Sequence, residues 1–198
     1  MKRIHAGFSL IELIVVVAIA IIITAISLPA VRRTISSYQL DESGHNVANM
    51  LEQVRSAAVK NNTPYYAQFN TSAGPSIVNS LSAAEVLASA NPNPATDPTT
   101  NVASQVTFPA ATPPNHAQLE TAMGLPAGGG STLQIGGQIG FNSRGLACLK
   151  NGTAWVCDIP AGFEWFMQHG MTGEWEAVTV SPAGRIKAWR MTGNGTWQ

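Results

Sequence analysis

Charge is what this sequence has least of. Asp, Glu, Lys and Arg make up 11% of its 198 residues, where about 25% is usual in soluble proteins. The 11 basic and 11 acidic side chains cancel, which excludes a bulk field drawing the whole chain to nucleic acid or to an anionic membrane. Between residues 71 and 130 there is no Lys or Arg at all. The four histidines are scattered at 5, 45, 116 and 169, and GxSxG, HExxH, P-loop and CxxC patterns are all missing. The expectation is therefore no catalytic residue, no metal and no cofactor. Cysteine is scarce too. Cys148 and Cys157 stand alone, nine positions apart, which fits neither a redox CxxC nor a zinc site. If the domain lies outside the cytoplasm, a disulfide between them is the natural reading.

Apolar residues, in contrast, are concentrated at the start. Residues 1–7 are short, basic and end in glycine, and residues 8–28 form an apolar run with a single charge, Glu12. As a helix that run is roughly 31 Å long, enough to cross the hydrocarbon layer. Lys2 and Arg3 favour a cytoplasmic N-terminus and export of the rest, although Arg32 and Arg33 on the far side weaken the asymmetry. Three plainer readings compete. A secretory signal could be cut near Ala25-Ile26-Ser27 and release a secreted binding module. A simple anchor explains the length but gives Glu12 no task, and a buried core helix seldom runs so long without a polar break. Glu12 decides among them, because a carboxylate in a spanning helix is costly. It either faces a partner or snorkels to the interface, and its sequence context separates the two.

The string Gly7-Phe8-Ser9-Leu10-Ile11-Glu12-Leu13 resembles the prepilin processing site of type IV pilins and of type II secretion pseudopilins. The resemblance implies that a membrane peptidase cuts after Gly7 and methylates the new N-terminus, Phe8. It also implies that Glu12 neutralises the amino group of a neighbouring subunit's Phe8 during assembly. Each charge alone would be costly in an apolar bundle, while a matched pair is tolerable. Pilins resemble this chain in carrying a proline at the place of Pro29, a helix-kink candidate.

Beyond Pro29, Val47, Met50, Leu51, Val54 and Ala58 recur at three- and four-residue steps. This predicts an amphipathic continuation of the helix over 29–62, ending near Asn61-Asn62, with one face on a globular domain. Gly44 interrupts the pattern, either as a bendable point or as a harmless weakness. Residues 63–198 are expected to form that domain. Residues 64–70 read as a strand, and 71–130 as an Ala-, Pro-, Ser- and Thr-rich surface excursion with short helices at 82–90 and 116–123. After 130, short β-type runs appear at 133–141, 174–180 and 184–190. The cysteines flank a hairpin with two registers: an Asn151-Gly152 turn opposes Cys148 to Trp155, whereas a Gly152-Thr153 turn opposes it to Cys157. Disulfide geometry favours the second.

The five tryptophans at 155, 165, 175, 189 and 197 could stack on sugars or peptides, or simply pack a core. Arg185, Lys187 and Arg190 offer a weak nucleic-acid contact, or the protective charges of an edge strand. The fold class is α+β, a long N-terminal helix packed on an antiparallel, sheet-rich domain. Three later segments (residues 54–63, 139–145 and 178–185) resemble the H-type pseudopilin and FimT-like minor pilin group. That resemblance implies a single-pass inner-membrane protein with a periplasmic domain. Its partners would be other pilin or pseudopilin subunits, the prepilin peptidase, an inner-membrane assembly platform and membrane lipid. The function would be protein export through a pseudopilus, or alternatively pilus priming or DNA uptake.

Overall fold

The apolar run and the stripe that follows it fold as one helix, α1, Leu10–Lys60. The computed structural model describes residues 9–70, 77–82, 99–109, 113–128, 130–132, 138–151, 154–156 and 162–198. The helix passes through Pro29 without interruption, so the missing N–H does not melt it. It ends where the sequence indicates. Asn62 turns left-handed at φ 50°, its N–H reaches Val59 O at 3.3 Å, and the Thr63 N–H reaches Ala58 O at 3.2 Å. This is a Schellman stop, in which a short polar side chain takes the place glycine usually fills. Pro64 follows and cannot continue the helix.

Two sheets lie against the second half of α1. Eleven strands are found among the described residues: β1 Tyr65–Asn70, β2 Ile77–Ser82, β3 Thr99–Asn101, β4 Val106–Thr107, β5 Gly130–Thr132, β6 Gln138–Phe141, β7 Ala147–Asn151, β8 Ala154–Val156, β9 Gly162–His169, β10 Trp175–Val180 and β11 Ile186–Arg190. A short helix, α2, spans Ala117–Ala122. The first sheet has the order β3-β2-β1-β6-β7-β8. The second has the order β11-β10-β9-β4, with β5 joined in parallel to the far end of β9. All other pairings among these strands are antiparallel.

The helical stripe meets both sheets in one core. Val47, Leu51 and Val54 pack with Ile139 and Phe141 of the first sheet and with Phe163, Trp165 and Val178 of the second. Burial begins at Ser36, one turn before Leu40, so the stripe reaches further toward the N-terminus than the sequence pattern suggests. A smaller cluster on the other face of the second sheet joins Leu119 of α2 to Phe166, Ala177 and Trp197.

Three stretches read from the sequence take these places in the fold. Within the excursion at 71–130, β2, β3 and β4 add strands to both sheets. Ser82, expected to open a short helix, closes β2, while 83–90 lie outside the described residues. Of the run at 133–141, the last four residues form β6, and 133–137 lie outside the described residues.

The hairpin register is the second of the two considered, with Leu149 opposite Val156, Lys150 opposite Trp155 and Asn151 opposite Ala154. Cys148 is fully buried and disulfide-bonded. Cys157, the chain's other cysteine, lies outside the described residues.

The three later segments singled out in the sequence converge at the distal end of α1. Arg55 donates from Nε to Gly145 O at 3.1 Å. Gly184, at φ +76°, lies so close that an added Cβ would stand 2.0 Å from that same carbonyl oxygen. Only glycine fits both the left-handed backbone and the close approach. The β6–β7 and β10–β11 turns are thereby locked to each other and to the helix.

Candidate functional site

The first half of α1 is bare. Every residue from 10 to 35 is exposed, and the apolar window long enough to cross a membrane has none of its surface buried. Ser9 precedes the helix with extended backbone and makes no side-chain cap, and Glu12 lies in the first turn. An acid there is favoured by the helix dipole. Glu12 forms no ion pair with a described residue. Gly7 and Phe8, the expected cleavage and methylation positions, lie outside the described residues.

Where the head takes hold of the helix, polar contacts gather. Gly44 is buried because Glu176 of β10 rests on it: an added Cβ would stand 1.6 Å from Oε1 and 2.4 Å from Cδ of that carboxyl. Gly44 is thus a packing notch, neither the bendable nor the idle position considered from sequence. Burial pushes the Glu176 carboxyl up to about 8, with the Asp41 charge adding to the rise and Arg190 opposing it. Arg190, across the strand pair from Glu176, donates to Ser37 on the helix and to Glu174 Oε2 at 3.2 Å. His169 is fully buried at the end of β9. Its Nδ1 accepts from the N–H groups of Met171 and Thr172 at 3.4 Å each, leaving Nε2 to donate to Gln39 Oε1 at 3.3 Å.

The outer face of the second sheet carries a separate group. Glu120 of α2 is buried, and its Oε2 accepts the Gly128 N–H at 2.6 Å. Beneath it Glu164 is also buried, with its carboxyl pushed up to about 7 by burial and then by the Glu120 charge. Glu164 and Glu176 escaped the sequence reading because a charged residue in a strand is ordinarily assigned to the solvent face. Here α1 covers one face of β9 and β10 and α2 the other. The one available signal was their setting in strands otherwise rich in large apolar side chains.

The basic stretch does not act as a unit. Arg185 and Lys187 line a cleft of about 190 Å³ on the outer face with Trp189, whose ring lies 3.4 Å under the Lys187 ammonium. Arg190 is turned to the opposite face and bound to the helix region. As β11 is an edge strand, the arrangement matches protective edge charges better than a three-residue phosphate site. Trp165 and Trp197 are core residues, with Trp165 4.8 Å from the Phe108 ring and Trp197 6.2 Å from Phe166. The side chain of Trp155 lies outside the described residues.

Residues 2–28 match the prokaryotic N-terminal methylation motif. No curated protein matches the chain. A crystal structure of the type IV minor pilin FimU of Pseudomonas aeruginosa (strain PAO1) is similar at a TM-score of 0.47 and 13% identity, over 82% of this chain and 94% of that one. That likeness is too distant to transfer a function. The chain thus carries the methylation motif at the head of a long helix that packs on antiparallel sheets, an α+β arrangement.

Proposed function

We propose that this chain is a pseudopilin, a minor structural subunit of a type II secretion pseudopilus. It is cut after Gly7 by the prepilin peptidase, methylated at Phe8 and held in the inner membrane by residues 8–28. Its N-terminus faces the cytoplasm and its head the periplasm. An assembly platform draws it into a filament in which Glu12 pairs with the amino group of a neighbouring Phe8, Pro29 supplies a bend point, and a Cys148–Cys157 bridge pins the exported head.

The observation that carries this reading is the contrast within α1. Residues 10–31 expose an apolar surface around a single charge, Glu12, and burial against the head begins only at Ser36. Such a surface needs a bilayer or a bundle of like helices. A second reading, a FimT-like minor pilin in pilus priming or DNA uptake, draws on Arg185 and Lys187, which face outward beside Trp189. The cancelling net charge and the engagement of Arg190 favour the first.

The test replaces the native subunit with Glu12→Ala. Processing is expected to persist while filament entry and export of secreted proteins fail. Unchanged incorporation would remove Glu12 from the account. Normal export with failed transformation would move the subunit to the DNA-uptake branch.

A further inference from the structure

Residues 10–28 rise roughly 28 Å as a helix, close to the ~30 Å of a hydrocarbon layer. With α1 read as a membrane span, Pro29, Arg32 and Arg33 leave the bilayer at the depth of the lipid phosphates. At this level the head meets the helix. Met171, Thr172 and Glu174 of the β9–β10 turn border a cleft of about 490 Å³ whose other wall includes Pro29, Arg32 and Arg33.

Three features of this cleft have no task in assembly as read above. Arg32 and Arg33 are exposed, and neither forms an ion pair with a described residue, whereas Arg55 and Arg190 do. Two arginines on the exported flank of a spanning helix also run against the usual placement of positive charge. Met171 is 69% exposed, and among the described residues it is the one large apolar side chain so exposed outside α1.

The turn that presents Met171 is built rather than loose. Gly170 N–H donates to Gln105 O and Gly173 N–H to His169 O, both at 2.8 Å. The Met171 N–H meets His169 Nδ1, and the same ring reaches back to Gln39 on α1. Met171 is therefore held at a fixed height beside the helix exit. Glu174, the acid bordering the cleft, is paired with Arg190.

We propose that this cleft is a docking site for the head groups of anionic phospholipids in the membrane that α1 crosses. Arg32 and Arg33 bind the lipid phosphate, and Met171 dips to the boundary between head groups and acyl chains. Charge complementarity and continuity with the span select this occupant. The contact seats the head on the membrane surface until the helix leaves the bilayer for a filament. It rests on reading α1 as a membrane span.

The test uses the full chain in lipid nanodiscs, with the native disulfide left oxidised and a fluorophore at Met171→Cys. Two further variants serve as references. Ile14→Cys lies within the span, and Lys60→Cys lies roughly 42 Å beyond Arg32 along the helix. Quenching by lipids spin-labelled near the head group is compared between discs of phosphatidylcholine alone and discs containing phosphatidylglycerol.

The expected result is strong quenching at position 171 in the anionic discs and none at position 60. In phosphatidylcholine, or with Arg32→Gln and Arg33→Gln together, the docked population should fall by roughly five-fold per arginine lost. Quenching at 14 without quenching at 171 overturns the docking site and leaves the span intact. Equal quenching at 171 in both lipids, or no change in the double variant, overturns the phosphate role of the arginines and with it the proposal. Absence of quenching at 14 removes the membrane span itself.

Discussion

The two halves of α1 are one continuous helix, yet they are built for different surroundings. From residue 36 onward one face is buried against two sheets, and its neighbours are specified down to the notch at Gly44. From 10 to 35 every residue is exposed, and from 13 to 31 the sequence carries no charge. A helix that packs on its own domain needs a stripe, while one that lives in lipid or among like helices needs a full apolar circumference. The change from one pattern to the other marks where the helix stops packing on its own domain.

The largest expected effect separates the halves directly. Leu51→Ala empties a fully buried position and should destabilise the head by about 2–5 kcal/mol. Ile22→Ala, on the bare half, should leave denaturant unfolding of the head unchanged. A similar loss from both would mean that the halves are not energetically distinct.

Next in size is the notch. Gly44→Ala must displace a buried carboxyl and should cost about 1–3 kcal/mol, despite the better helix propensity of alanine. Combining it with Glu176→Ala should remove that penalty. A double-mutant cycle with no coupling would contradict the contact.

The carboxyl at this notch also gives a pH signature. Its folded value of about 8 lies above the ordinary carboxylate range, so between that range and pH 8 the folded state binds more protons than the unfolded one. Stability should therefore fall as pH rises through this window and level off above it. Glu164, pushed up to about 7, adds to the slope in its lower part. Glu176→Gln should flatten the profile and stabilise the head at alkaline pH. A slope unchanged by that substitution would show that Glu176 is not its source.

The smallest effect is expected at the boundary between the halves. Arg190→Ala breaks the contacts to Ser37 and Glu174. Because that pair is more than a third exposed, the loss should be no more than about 1 kcal/mol, and high salt should shrink it.

These features differ in how readable they were. The apolar half of α1 and the stop at Asn62 rest on local rules of hydrophobic run length and capping, and both are visible in sequence. The register of the cysteine hairpin was readable because disulfide geometry chose between two turns. The strands β2, β3 and β4 were not, because Ala-, Ser-, Thr- and Asn-rich segments carry no alternating apolar signal and take their place from the sheets they join. Gly44, His169, Glu164 and Glu176 escaped for a related reason. Their roles depend on what another element places opposite them, and spacing along one chain does not encode that.

As proposed, the bare half of α1 is a processed, membrane-borne assembly element. The mass of the mature N-terminal peptide from the exported protein tests this most directly. The prediction is a chain beginning at Phe8 with one added methyl group. A chain beginning near Leu28, which discards Glu12 and the whole bare segment, would contradict it.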